Sequence, residues 1–92
     1  MMEVHGKSLD AITKDIEEGY FVLNPLTMKK LETTLYKPLH FAIRKEMIAV
    51  RAEAFPAHDL SGIRRRNARL QRLRQALAIL ENFAKEKRIK LV

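Results

Sequence analysis

Apolar residues recur at helical rather than strand spacing along most of the chain. Leu9, Ile12 and Ile16 fall at i, i+3 and i+7 and share one helical face. Ser8 before them suits an N-cap, Asp10 puts negative charge in the first turn, and Gly19 suits a C-terminal stop. This predicts a first helix over about residues 9–18. Tyr20-Phe21-Val22-Leu23 is continuously apolar and rich in strand formers. It reads as an extended connector docked on the core, with the alternating tail Ile89-Lys90-Leu91-Val92 as its candidate pairing partner.

Asn24-Pro25 predicts a helix start, with Asn as cap and Pro at the first helical position; Thr27 is the alternative cap. Leu31 and Leu35 carry the pattern toward Pro38, where a backbone donor is lost and the ring clashes with the preceding turn. A break or sharp kink near Tyr36-Lys37 follows, giving a second helix over about 25–36 and a third over about 38–55. In the third, Leu39, Ile43, Met47, Val50 and Ala54 form one stripe. Phe41, Ile48, Ala52 and Phe55 form another, roughly 140° away. A surface helix needs one stripe; two imply a central helix covered on both sides.

Phe55-Pro56 ends that helix, and 57–62 form a short loop in which Asp59 or Ser61 caps the next. A fourth helix over about 61–87 carries Ile63, Leu70, Leu73, Leu77, Leu80 and Ala84 at heptad-like spacing. The expected fold is all-α: a single domain, a small bundle of three or four helices. It is built on a long antiparallel αα-hairpin with the first two helices packed across it. The doubly apolar third helix makes a homodimer the expected assembly, with Phe41, Ile48, Phe55, Ile79 and Phe83 as the dimer or partner interface.

Charge changes this picture most. Residues 61–92 carry ten Lys/Arg against Glu81 and Glu86, a net of +8, while residues 1–60 carry a net of −1. Arg64, Arg65, Arg66, Arg69, Arg72 and Arg74 crowd the first half of the fourth helix. Arg65, Arg69 and Arg72 share a line that continues as Ala76, Ile79 and Phe83, basic first and then apolar. Cations in a first helical turn oppose the helix dipole, so an anion at that end is expected, and free N–H groups there add donors. An antiparallel hairpin brings Arg51 to the same end. The Arg-Arg-Arg-Asn-Ala-Arg stretch is similar to arginine-rich RNA-binding peptides in general, a short and unspecific pattern.

The expected function is therefore a non-enzymatic nucleic-acid-binding or regulatory module, with Arg51, Arg64, Arg65, Arg66, Arg69, Arg72 and Arg74 contacting RNA or DNA phosphates. The alternative is a protein-interaction adaptor or assembly factor that meets an acidic partner protein through the basic helix and the spare apolar groove. A basic surface continuous across a dimer favours nucleic acid. Arginines paired to Asp15, Glu17 and Glu18 beside an open apolar groove favour the adaptor. The basic stretch contains no aromatic ring, which disfavours base stacking. A helix-turn-helix is a poor match, because the join after the first helix is long and apolar.

Other chemistry is not expected. There is no cysteine, so disulfides and thiolate sites are excluded. His5, His40 and His58 lack the spacing that puts two metal ligands on one helix face. Ser8 and Ser61 read as caps, and the scattered glycines form no phosphate-cradling loop. Glu46 and Glu53 read as a solvated edge rather than an acid/base pair. No enzyme, metal or cofactor is expected. The first residues lack a leader's apolar stretch, no apolar run approaches a membrane span, and the expected compartment is the cytoplasm.

Overall fold

The computed structural model describes residues 3–4, 7–55 and 58–91. Expectations placed on His5, Pro56, Ala57 and Val92 lie outside them. A two-residue antiparallel pairing, β1 (Glu3–Val4) with β2 (Lys7–Ser8), precedes four helices. These are α1 (Leu9–Glu18), α2 (Pro25–Lys30), α3 (Tyr36–Arg51) and α4 (Leu60–Glu86), with a 3₁₀ turn at Thr33–Leu35. The long axis of the molecule spans 45 Å.

Local chemistry explains most of the ends. The Ser8 hydroxyl accepts from Ala11 N–H (3.2 Å) at the start of α1. At its other end Gly19 takes the left-handed conformation (φ 86°), so that Gly19 N–H reaches Ile16 O (3.2 Å) and Tyr20 N–H reaches Asp15 O (2.8 Å). A Cβ on Gly19 would also sit 3.3 Å from Arg72 Nε. Asn24 and Thr27 form a reciprocal capping box at α2, so both candidate caps act together. Asp59 caps α4 by accepting from Gly62 N–H (3.0 Å). Gly62 is buried, and a Cβ there would lie 2.6 Å from the Phe55 ring, so a glycine lets Phe55 close over the first turn of α4.

The break before α3 falls earlier than expected, at Leu31-Glu32 rather than Tyr36-Lys37. Pro38 explains the difference. In the first turn of α3 its missing N–H has no helical partner to lose, whereas in a continuous helix its ring would meet the carbonyl four residues back. The chain therefore interrupts upstream and restarts as a 3₁₀ turn running directly into α3. The helix after it ends at Arg51, so Glu53 and Phe55 lie past its end. The connector 20–23 and tail 89–91 form no ladder with each other; among the described residues, strand pairing is confined to 3–4 with 7–8.

The core lies where α1, α3 and α4 meet. Ile12 and Ile16 of α1, Leu39, Ile43, Met47 and Val50 of α3, and Leu70, Leu73, Ala76, Leu80 and Ala84 of α4 are all buried. Leu23 of the connector, Met28 of α2, Leu31 and Leu35 between α2 and α3, and Tyr36 at the start of α3 close it. Burying such side chains is the main favourable term, at about 1.5–3 kcal/mol each. The C-terminal end of α4 repeats the device used on α1: Arg88 adopts φ 55°, Arg88 N–H meets Lys85 O (3.1 Å) and Ile89 N–H meets Ala84 O (2.8 Å). Ile89 and Leu91 are thereby laid against the core edge.

Candidate functional site

The arginines at the start of α4 divide into two groups. Arg69 is turned inward. Its Nε donates to Glu17 Oε2 of α1 (2.9 Å), and its Nη2 is paired with Glu53 Oε2 just past α3. Arg66 Nη1 donates to the Glu53 carbonyl (3.2 Å), and its guanidinium lies 5.6 Å from the Phe55 ring centroid. Arg72 Nη1 donates to the Glu17 carbonyl (3.0 Å), one of the acceptors that the last turn of α1 leaves without a helical donor. These three side chains tie α4 to α1 and to the segment after α3. The other group is open: among the described residues, Arg64, Arg65 and Arg74, like Arg51 at the end of α3, are exposed and form no ion pair.

Glu17 is the centre of the tied group. Its side chain is 3% exposed, Lys14 Nζ stands 3.8 Å from its Oε1, and Lys14 itself is bound to Glu46 Oε2 (2.6 Å). Burial, and then the neighbouring Glu46 carboxyl, push Glu17 up to about 7. Burial also works against ionisation of Glu46, but contact with Glu17 and Lys14 outweighs it and holds Glu46 below its ordinary value. Glu17 Oε1 has no hydrogen-bond partner. A proton on Glu17, facing Glu46, relieves the repulsion between the two carboxylates. Glu46 and Glu53, read as a solvated edge, are thus engaged in ion pairs.

A hollow of about 440 Å³ beside this group is lined by Arg65, Ala68, Arg69 and Arg72, but also by Glu18. A carboxylate on the rim repels an incoming phosphate. A second hollow, about 570 Å³, lies between the end of α1, the connector and α4. Its walls include Ile16, Phe21, Leu23, Ala76 and Ile79, with Arg72 and Gln75 as its long polar side chains.

The proposed apolar interface also divides. Ile79 and Phe83 are half-buried and packed on the core, and Phe55 is half-buried beneath Arg66. Phe41 and Ile48 stand open, at 70% and 67% exposure, and Ala52 is exposed beside them. The second stripe is therefore uncovered from Phe41 to Ala52, and only Phe55, past the end of α3, is partly covered.

Around Phe41 and Ile48 the outward face of α3 carries Lys37, Arg44, Lys45 and Arg51, all exposed and, among the described residues, without an ion pair. The carboxylate of α3, Glu46, points the other way, into the contact with Lys14. Phe41, Arg44, Lys45 and Ile48, with Lys37, His40 and Leu91, line a hollow of about 400 Å³. His40 is buried there with Nε2 3.3 Å from Glu81 Oε2 on α4. Lys37, Arg44 and Lys45 were not singled out from the sequence. Their signal was present: they flank the Phe41/Ile48 stripe at helical spacing, within a segment whose charge is diluted by acidic residues elsewhere.

Among the described residues, no group of His, Asp and Glu is arranged to hold a metal ion. No helix there is long and apolar enough to cross a membrane. The chain matches no protein-family model, no curated protein and no solved structure, so its geometry alone carries the functional reading.

Proposed function

We propose that the protein is a non-enzymatic interaction adaptor that binds an acidic partner protein through the outward face of α3. The observation that carries this is an open Phe41/Ile48 pair surrounded by four cations that have no ion-pair partner among the described residues. An exposed apolar patch rimmed by charge is what an interaction site presents before its partner arrives. α3 and α4 are read as an antiparallel hairpin, since His40 near the start of α3 meets Glu81 late in α4, while Glu53 past α3 meets Arg66 and Arg69 early in α4.

A symmetric dimer through this face is disfavoured. An isologous interface sets a surface against its own copy, and here that opposes Lys37, Arg44, Lys45 and Arg51 to like charges. An acidic partner removes the conflict.

Nucleic acid is the second reading, favoured by the exposed Arg51, Arg64, Arg65 and Arg74, which form no ion pair among the described residues. Fluorescence anisotropy separates the two, using a glutamate-rich peptide with interspersed leucines and a single-stranded RNA of equal charge. The adaptor predicts peptide binding that is weakened by Phe41→Ala with Ile48→Ala, and indifferent to Arg64→Ala with Arg65→Ala. RNA binding lost on the Arg64/Arg65 change, and steeply salt-dependent, would transfer the function to nucleic acid.

A further inference from the structure

We infer that the partner lays an acidic amphipathic helix along α3, seating an apolar side chain between Phe41 and Ile48. This rests on the adaptor role proposed above and specifies the shape that the partner brings. Two lines of residues run down the open face at the same repeat. Lys37, Arg44 and Arg51 are spaced by sevens, and so are Phe41 and Ile48. Seven residues make nearly two turns, so each line climbs the helix in steps of about 10.5 Å, with the two lines about 40–60° apart. A second helix with a heptad repeat matches that step over its whole length. An extended peptide, with side chains on one face every ~7 Å, falls out of phase with it.

The hollow on this face has the form of a coiled-coil hole. Phe41, Arg44, Lys45 and Ile48 stand at i, i+3, i+4 and i+7, the four positions on one helix that surround a knob from another. Its ends are apolar and its sides are cationic. Leu91, held in place by the turn at Arg88, adds an apolar wall. The complementary knob is a leucine-like side chain with carboxylates on either side of it, the e and g pattern of an acidic amphipathic helix. RNA would place bases against one ring only. A lipid surface would need apolar wedges standing proud of the helix, whereas Phe41 and Ile48 here border a concavity.

The test uses a 21-residue peptide with leucine at a and d and glutamate at e and g, beside a scrambled peptide of the same composition. Anisotropy gives affinity for the full chain at about 100 mM salt, and circular dichroism reports helix gained on mixing. The heptad peptide is expected to bind at least about tenfold tighter than the scrambled one, with a rise in helicity. Phe41→Ala with Ile48→Ala is expected to cost about tenfold, and Leu26→Ala, an exposed apolar change on α2, nothing. Because Phe41 and Ile48 are exposed, their loss leaves the thermal melt in place, which confirms that the variant is folded. Equal binding of both peptides, still sensitive to Phe41 and Ile48, overturns the helix while leaving the adaptor. Binding of neither overturns both. Tighter binding to phosphatidylserine vesicles or to single-stranded RNA, in competition with the heptad peptide, also overturns the inference.

Discussion

At Arg69 one guanidinium meets two carboxylates from separate parts of the chain, Glu17 of α1 and Glu53 past α3. Glu17 is 52 residues away and Glu53 is 16. Removing the arginine would leave Glu17 buried beside Glu46 with only Lys14 to balance it. Above about pH 7, where Glu17 is ionised, Arg69→Ala is therefore expected to destabilise the fold by roughly 1–3 kcal/mol, as leaving a buried acceptor without its donor does. Arg64→Ala, on an exposed side chain, should stay within about 0.5 kcal/mol. Urea unfolding measures both, and equal small effects would mean that Arg69 does not hold the helices together. A binding study must accordingly leave Arg69 intact. From the sequence, Arg69 was indistinguishable from Arg65, since both lie on one helical line. What separates them is the partner that folding brings, and spacing along one helix does not contain that. The caps at Ser8, Asn24 and Asp59 were legible for the opposite reason: each reaches a backbone N–H only three residues away.

Among the elements, α1, α3 and α4 are joined by the Lys14, Glu17, Glu46 and Arg69 group. Its protonation couples their packing to pH. Glu17 sits up at about 7, against an ordinary 4.5, so between those values the folded chain holds a proton that the unfolded chain has released. That contribution to stability is complete below the unfolded value and declines as pH rises to about 7. Glu46 is shifted the other way, and its contribution is lost as pH falls through its folded value. The Glu17 effect is isolated by comparison with Glu17→Gln. The wild type is expected to lose stability relative to that variant from about pH 5 to about pH 7.5, read as urea midpoints. Parallel pH profiles would contradict it. The same scale shows how a local rule was misplaced by a few residues. Pro38 correctly signals a boundary, but a proline is compatible with a first turn, so α3 absorbs it and the break moves up to Leu31-Glu32. The two stripes of α3 were legible as far as Val50 and Ile48, while Ala52, Ala54 and Phe55, expected to continue them, fall past its end. That the second is uncovered was not legible, because periodicity marks an apolar face without saying what lies on it.

For the whole molecule, the +8 of the last third is the dominant feature of the sequence, and folding redistributes its meaning. Arg66, Arg69 and Arg72 become ties between helices. Arg64, Arg65 and Arg74 stay open on α4, while on α3, which the sequence places in a nearly neutral segment, open cations flank the open Phe41 and Ile48. A chain with net charge +7 repels its own copies, and the α3 face concentrates that repulsion where its apolar residues stand open. The measurement that tests this most directly is a ¹⁵N–¹H correlation spectrum recorded while the acidic heptad peptide is titrated in. Shifts should concentrate between Lys37 and Arg51 and near Leu91, with the Arg64 to Arg72 amides and those of α1 largely still. Shifts centred on Arg64, Arg65 and Arg72, with α3 unmoved, would contradict the account.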